Sequence, residues 1–220
     1  MKARMFVIYG LSAAILAACG GPATTTYRLT FDTQEPADVA MLTTATVRVI
    51  QRRLDRLGAE LFGQHTVQDA DGANLEITAS DASALKELTA EMTAPFDLDI
   101  MLATTGSGDV TVEGYGAFMK TGVTGDDISI VLAKANDNGV GASVQIRFTD
   151  GGLNEMRELF TKNVGKDLGL FVRGRLVSAL TIKSAILPNP LIIDGIPDAE
   201  LATIFADDVN VGTHVTVTPL

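Results

Sequence analysis

Apolar and polar residues change period several times along this chain, and each change marks an element. From Tyr27 to Phe31 they alternate, the period-two pattern of a half-buried strand. From Pro36 to Leu57 the apolar positions Val39, Leu42, Val47, Ile50, Leu54 and Leu57 recur every three to five residues, which predicts one face of a long helix. Gly58 stands where a left-handed residue would end it. Leu61–Val67 and Leu75–Thr78 read as two short strands around Asp69-Ala70-Asp71-Gly72, a turn whose Asp-Gly pair accepts positive φ. A second helix is expected from an N-cap at Ser80 or Asp81, with Leu85, Leu88 and Met92 on one stripe and Pro95 just past its end. Phe96 to Leu102 then alternates as a strand. The order β-α-β-β-α-β is that of a ferredoxin-like unit, so residues 26–103 are expected to form a ferredoxin-like base with two helices on one face of a sheet.

Residues 104–125 are rich in glycine and weak in apolar periodicity, which predicts a mobile connection or a loose hairpin and places a domain boundary there. Beyond it, residues 126–220 form a second α+β unit. Ile128–Leu132 and Ser143–Phe148 are strand-like and flank the turn cluster Asn136-Asp137-Asn138-Gly139. A helix should start at Thr149 or Asp150, bury Leu153, Met156, Leu159, Phe160 and Val164, and stop at Gly165. Leu168–Val172 and Leu176–Ile182 make a hairpin around Arg173-Gly174. A last helix is expected from Pro197, which needs no N–H in the first turn, with Leu201, Ile204 and Phe205 inward. Val215-Thr216-Val217 closes the chain as a strand. The fold class is therefore α+β.

The N-terminus follows a different logic. Lys2 and Arg4 precede an apolar or small run from Met5 to Ala18, the layout of a secretory signal. That run is 14 residues long and falls short of the roughly 20 that span a bilayer. Leu16-Ala17-Ala18-Cys19 resembles the lipobox of bacterial lipoproteins, which implies cleavage after residue 18 and a diacylglyceryl group on the Cys19 thiol. Since each buried methylene contributes about 0.8 kcal/mol, two or three acyl chains of the palmitate class would hold the chain on a bilayer. Residues 19–25 then read as a tether of small and polar residues, with order from about Thr26. The resemblance favours a cell-envelope, periplasm-facing location, with Gly20 tilting the choice toward the outer membrane.

Loss of Lys2 and Arg4 takes 17 basic residues to 15 against 27 acidic, a net of −12 for the mature chain. Such acidity excludes a nucleic-acid footprint, which needs clustered Lys and Arg. With Cys19 the only cysteine, no internal disulfide can form. His65 and His214 are the only histidines and lie far apart with no ligand cluster beside them, so neither a metal nor a cofactor site is expected. No nucleophile elbow, phosphate loop or zinc-protease motif occurs, and Asp126-Asp127 reads as a helix or turn start, so the chain is read as a binder and not an enzyme. Arg48, Arg52 and Arg56 recur every four residues and form a cationic stripe on the first long helix, either a solvated face or a contact for a partner. The apolar run Leu168, Leu170, Phe171 and Val172 predicts a strand covered on both faces. Were one face open, it would offer a groove for an extended peptide.

Three stretches resemble the first periplasmic domain of SecD, an accessory subunit of the bacterial Sec protein-export channel. They are Val49-Ile50-Gln51-Arg52-Arg53-Leu54-Asp55-Arg56-Leu57-Gly58, the entry segment Thr121-Gly122-Val123-Thr124-Gly125-Asp126-Asp127-Ile128, and a longer run from Phe148 to Ile186. That run includes Gly165, Gly174, Ser178-Ala179 and Thr181-Ile182. The resemblance implies a SecD-like head subdomain over residues 126–220. Two positions depart from it: Arg173-Gly174 replaces the family's usual Asp-Gly, so a different turn type is expected, and Leu180 replaces a proline. Nothing after residue 19 is long and apolar enough to span a membrane, so the proton-driven motor of the family is not expected here. The resemblance implies an accessory role in export, with Sec translocon components or unfolded secretory chains as partners and Arg173 and Arg175 as candidate contacts beside the helical arginines. The alternative is an assembly lipoprotein serving another envelope complex.

Overall fold

The computed structural model describes residues 21–137 and 140–220; Cys19 and residues 1–18, read from the sequence as a signal, lie outside the described residues. Strand β1 (Ala23–Phe31) already includes Ala23, Thr24 and Thr25, which the sequence assigns to the tether, because Ala23 pairs with Ala79 and Thr24 with Thr78. Helix α1 (Pro36–Arg56) carries Pro36 at its start and buries Leu42, Ile50 and Leu54 of the expected stripe together with Ala45, Thr46 and Val49, while Val39, Val47 and Leu57 are half-buried. Gly58 ends it at φ 74°. The hairpin of β2 (Leu61–Asp69) and β3 (Gly72–Ala79) follows. Helix α2 (Ala82–Thr93) is capped by Asp81, whose carboxylate accepts from the N–H groups of Ser83 at 2.7 Å and Ala84 at 2.9 Å, a cap that contributes about 1 kcal/mol. Tyr27, Leu29, Leu75 and Ile77 alternate inward against Val49, Ile50, Leu54 and Leu88 to make the base core.

The fourth strand of this base is not the one expected. Residues 98–104 form β4 (Leu98–Thr104), which pairs with strands of a different sheet, and the base sheet is completed by β12 (Val215–Pro219) at the far end of the chain. The order β12-β1-β3-β2, antiparallel throughout, is still that of a ferredoxin-like unit. The physical reason lies in side-chain coverage. In β4 the consecutive residues Ile100, Met101 and Leu102 are all buried, so the strand needs cover on both faces. In β12 only Val217 is buried, which suits an edge strand with one covered face. The second unit is thus inserted into the base between α2 and β12.

The insertion, here called the head, begins with β4. Of the two forms expected for residues 104–125 the structure has the hairpin, β5 (Val110–Val112) and β6 (Gly116–Thr124), whose second strand pairs with β4. A short 3-10 turn, Gly125–Asp127, leads into β7 (Ile128–Ala135) and β8 (Ala142–Phe148). Helix α3 (Asp150–Lys162) buries Met156 and Phe160, whereas Val164, expected inward, lies past its end and is exposed. Then come β9 (Asp167–Val172), β10 (Arg175–Thr181), β11 (Leu191–Ile196) and α4 (Ala199–His214). The strands form a five-stranded sheet, β10-β9-β4-β6-β5, and a three-stranded sheet, β11-β8-β7. Ile100, Leu102, Val131, Val144, Ile146, Met156, Leu168 and Leu170 close the core between the sheets and helices. On the outer face of the larger sheet Phe118 and Phe171 meet edge to face at 5.2 Å. Gly169 is the residue that admits them, since a Cβ there would lie 2.7 Å from the Phe171 ring and 2.9 Å from that of Phe118.

Helix α4 begins at Ala199 with Asp198 as its cap, not at Pro197. Its buried face is Ala202, Ala206, Asp207, Val209, Asn210, Val211 and His214; Leu201, expected inward, is exposed.

Candidate functional site

Base and head meet along α4, and two of the arginines singled out in the sequence, Arg48 and Arg52, bind it. The stripe on α1 exists, with Arg48 and Arg56 exposed and Arg52 half-buried, and each of its cations is paired within the chain. Arg48 grips Asp207 of α4 with two parallel bonds, Nε to Oδ2 at 2.9 Å and Nη2 to Oδ1 at 2.6 Å. Arg52 adds a bond to the same carboxylate at 2.9 Å and reaches Asp208 at 3.4 Å. Arg56 turns to Glu91 of α2, with Nη2 2.6 Å from Oε1. Asp207 is nearly fully buried, and its hydrogen bond to Arg48 holds that guanidinium above its ordinary pKa, against the opposing effect of burial. A fork-on-carboxylate geometry of this kind fixes orientation as well as charge.

Three further contacts complete the joint. The Asn210 amide donates to the carbonyl of Val131 at 2.7 Å and its oxygen accepts from the Val131 N–H at 2.8 Å, so a side chain of α4 is stitched into β7. Phe96, in the segment that leaves the base, lies flat against the backbone of α4 at Gly212, where a Cβ would come within 2.2 Å of the ring. His214, at the end of α4, sits 2.6 Å through Nδ1 from Asp32, and its buried Nε2 has no hydrogen-bond partner among the described residues. His65 is exposed on β2. Asp126 and Asp127 lie in the 3-10 turn, and Asp127 closes a capping box by accepting from the Thr124 N–H at 2.9 Å. No group of ligating side chains suited to a metal occurs among the described residues.

The turn between β9 and β10 carries Arg173 and Arg175. Arg173 adopts φ 49° and Gly174 φ 72°, so the turn keeps two consecutive left-handed residues despite the arginine. The conformation costs an L-residue roughly 1–2 kcal/mol. Two contacts offset it: the Arg173 N–H donates to the Asp97 carbonyl at 2.8 Å, and the guanidinium lies 5.8 Å from the centre of the Phe96 ring. Arg175 is exposed at the start of β10. This strand alternates between exposed and half-buried residues, exposes Val177, and has no strand on its outer edge among the described residues. Its neighbour β9 is buried on both faces, as its apolar run predicts, so the open feature is the edge of β10 and not a face of β9. A groove of about 720 Å³ also runs between β6 and α3, with Leu102, Met119 and Leu159 in its wall and Lys162 and Lys166 at its rim.

The architecture is that of a ferredoxin-like base interrupted by an α+β head whose larger sheet has β10 as one of its edge strands. Residues 105–212 match the family model for the P1 head subdomain of SecDF, so this part of the chain carries a head subdomain of that type. The match begins at 105, inside the glycine-rich segment 104–125. No curated protein sequence matches the chain. Among solved structures, SecDF of Thermus thermophilus, described as a translocon-associated membrane protein, is similar with a TM-score of 0.50 at 17% identity over 91% of this chain and 30% of that one. SecDF in a super-membrane-facing form gives 0.49 at 19% identity, over 91% of this chain and 29% of that one. A structure of a membrane component SecDF that enhances protein export gives 0.49 at 17% identity, covering 90% of this chain and 99% of that one. The chain therefore spans about 30% of the two longer SecDF chains it resembles. Among the described residues no helix is long and apolar enough to cross a membrane.

Proposed function

We propose that this protein is a non-catalytic accessory of protein export that faces the periplasm and holds extended polypeptide at its head, tethered to a membrane by lipid on Cys19. The observation that carries the reading is the match of residues 105–212 to the SecDF P1 head subdomain. Two features support it. The open edge of β10 offers main-chain donors and acceptors that an extended chain can pair with whatever its side chains. The lipobox resemblance at Leu16–Cys19 supplies a membrane attachment that needs no spanning helix.

Photo-crosslinking in cells from Arg175, in the native full-length protein, tests the reading. Recovery of secretory precursors or of Sec channel subunits is the expected result. A single unrelated envelope protein at every position tried along β10 would replace this reading with that of an assembly lipoprotein. The tether is tested separately: Cys19→Ser should abolish incorporation of labelled palmitate and release the protein from the membrane fraction. An unmodified thiol on the native protein would remove the lipid from the account.

A further inference from the structure

Beside the joint, α1, α2, α4 and the β9–β10 turn enclose a recess of about 390 Å³. Its charge is unlike that of the rest of the molecule. The chain carries a formal net charge of −10, yet this recess is lined by four arginines, Arg52, Arg53, Arg56 and Arg173, against two carboxylates, Glu91 and Asp208. Both carboxylates already accept hydrogen bonds, Glu91 from Arg56 and Asp208 from Arg52.

The other two guanidinium groups have no carboxylate hydrogen bond among the described residues. Arg53 has a side chain only 17% exposed; its Nε is 3.9 Å from Glu91, and its Nη1 donates to the thioether sulfur of Met92 at 3.1 Å, a weak acceptor. Burial pushes its pKa below the ordinary value, partly countered by Asp208 and Glu91, with Arg173 and Arg56 adding repulsion. A half-buried cation held by a sulfur and crowded by like charges is stabilised by any oxyanion that enters. Arg173 is aimed at the recess by its left-handed backbone and its stack on Phe96, so part of the cost of ordering a ligand-binding arginine is met in the fold.

We propose that this recess binds a carboxylate side chain of an extended polypeptide, an Asp or Glu with an apolar neighbour, between Arg53 and Arg173. The walls choose this occupant over a bare anion. Val49, Phe96, Val172 and Ile204 line the recess beside the guanidinium groups, and an inorganic ion would leave that apolar surface wet. The proposal rests on the reading that the protein holds extended chains, and adds a preference for acidic segments at a place distinct from the β10 edge.

Calorimetric titration of the full mature protein tests it with acetyl-Gly-Leu-Glu-Leu-Gly-amide, the same peptide with Gln for Glu, inorganic phosphate, and phosphatidylglycerol vesicles. The Glu peptide should bind at least about tenfold more tightly than the Gln peptide, the effect of one charge-assisted hydrogen bond. Arg173→Gly keeps the turn while removing the guanidinium and should weaken the Glu peptide by about tenfold without lowering thermal stability. Equal affinity for the two peptides, no binding of either, an unchanged affinity in Arg173→Gly, or binding confined to phosphate or to vesicles each overturns the proposal. Crosslinking of precursors along β10 can succeed when this titration fails, and the titration can succeed when crosslinking fails, so the two readings fall separately.

Discussion

Asp207 is the residue whose removal should report most directly on the joint between base and head. Its side chain is 5% exposed and accepts three hydrogen bonds, two from Arg48 and one from Arg52. Taking one partner out of a buried ion pair costs about 3–5 kcal/mol, chiefly because the other charge is left behind. Here the arginine side chains keep 44% and 27% exposure, so water recovers part of that cost and about 2–3 kcal/mol is the expected loss for Asp207→Ala. The neighbouring Asp208 is the internal control: it is 45% exposed with one bond at 3.4 Å, so Asp208→Ala should cost under about 1 kcal/mol. The chain has no tryptophan, so urea unfolding is best followed by far-ultraviolet circular dichroism. With a slope of about 1–3 kcal/mol per molar, Asp207→Ala should lower the midpoint by about 1 M. A double-mutant cycle with Arg48→Ala should return a coupling of about 1–3 kcal/mol. Coincident midpoints for the Asp207→Ala and Asp208→Ala proteins, or a coupling near zero, would refute the claim that this carboxylate holds α4 to α1.

Three other substitutions probe separate parts of the argument. Gly212→Ala drives a methyl into the Phe96 ring and should cost about 1–3 kcal/mol, seen as a lower thermal midpoint; adding Phe96→Ala vacates the space, so the double variant should cost less than the sum of the two single changes. Asn210→Ala leaves the buried N–H and carbonyl of Val131 without partners, a loss of about 2–3 kcal/mol, and the Val131 amide should exchange its hydrogen markedly faster; unchanged protection there would count against the bond pair. Asp69 is held at a pKa of about 2 by its hydrogen bonds to Arg28, helped by the Asp71 N–H. Because that pKa is depressed below the unfolded value of about 3.9, its stabilisation is present above that pH and disappears as pH falls through about 2. Asp69→Asn should therefore narrow the difference in thermal midpoint between pH 5 and pH 2.5, and an unaltered difference would remove Asp69 from the acid response.

Periodicity made most elements legible, because it reports which face of an element is buried. It placed β1, α1, the β2–β3 hairpin, α2, the β7–β8 hairpin, α3 and the β9–β10 hairpin close to their observed positions. It could not report which sheet a strand joins. Phe96–Leu102 and Val215–Val217 are both plausible fourth strands for the base, and the choice is made by two-sided burial at Met101 and Leu102, which alternation alone does not reveal. In α4 the large residues Leu201, Ile204 and Phe205 suggested one face, while the buried face is built from alanines and valines together with Asp207, Asn210 and His214. Those polar residues are inside because their partners, Arg48, Val131 and Asp32, come from distant segments. Strand β11 was hidden by Pro188, Pro190 and Gly195, residues that break a strand pattern. For the site, the four-residue spacing of Arg48, Arg52 and Arg56 was visible. Arg53, which the stripe skips, was not, since its importance lies in lacking a good acceptor.

An inserted head has two covalent crossings to its base, and here both run through one small region. The chain leaves by Phe96 and returns by α4, and Phe96 touches α4 at Gly212 on one side and Arg173 of the head turn on the other. On α4, Val211 belongs to the base core, while Ala202, Ala206 and Val209 belong to that of the head. Beside the apolar contact of Phe96 on Gly212, the joint carries ionic and polar contacts: the arginines of α1 on Asp207 and Asp208, and His214 on Asp32. A joint of this composition weakens with ionic strength far more than either core does, because partly exposed charge pairs are screened and apolar packing is not. The head and base should accordingly lose their mutual protection from hydrogen exchange along α4 in high salt while each core stays protected, and equal loss in both cores would show that the seam is sealed by something other than charge.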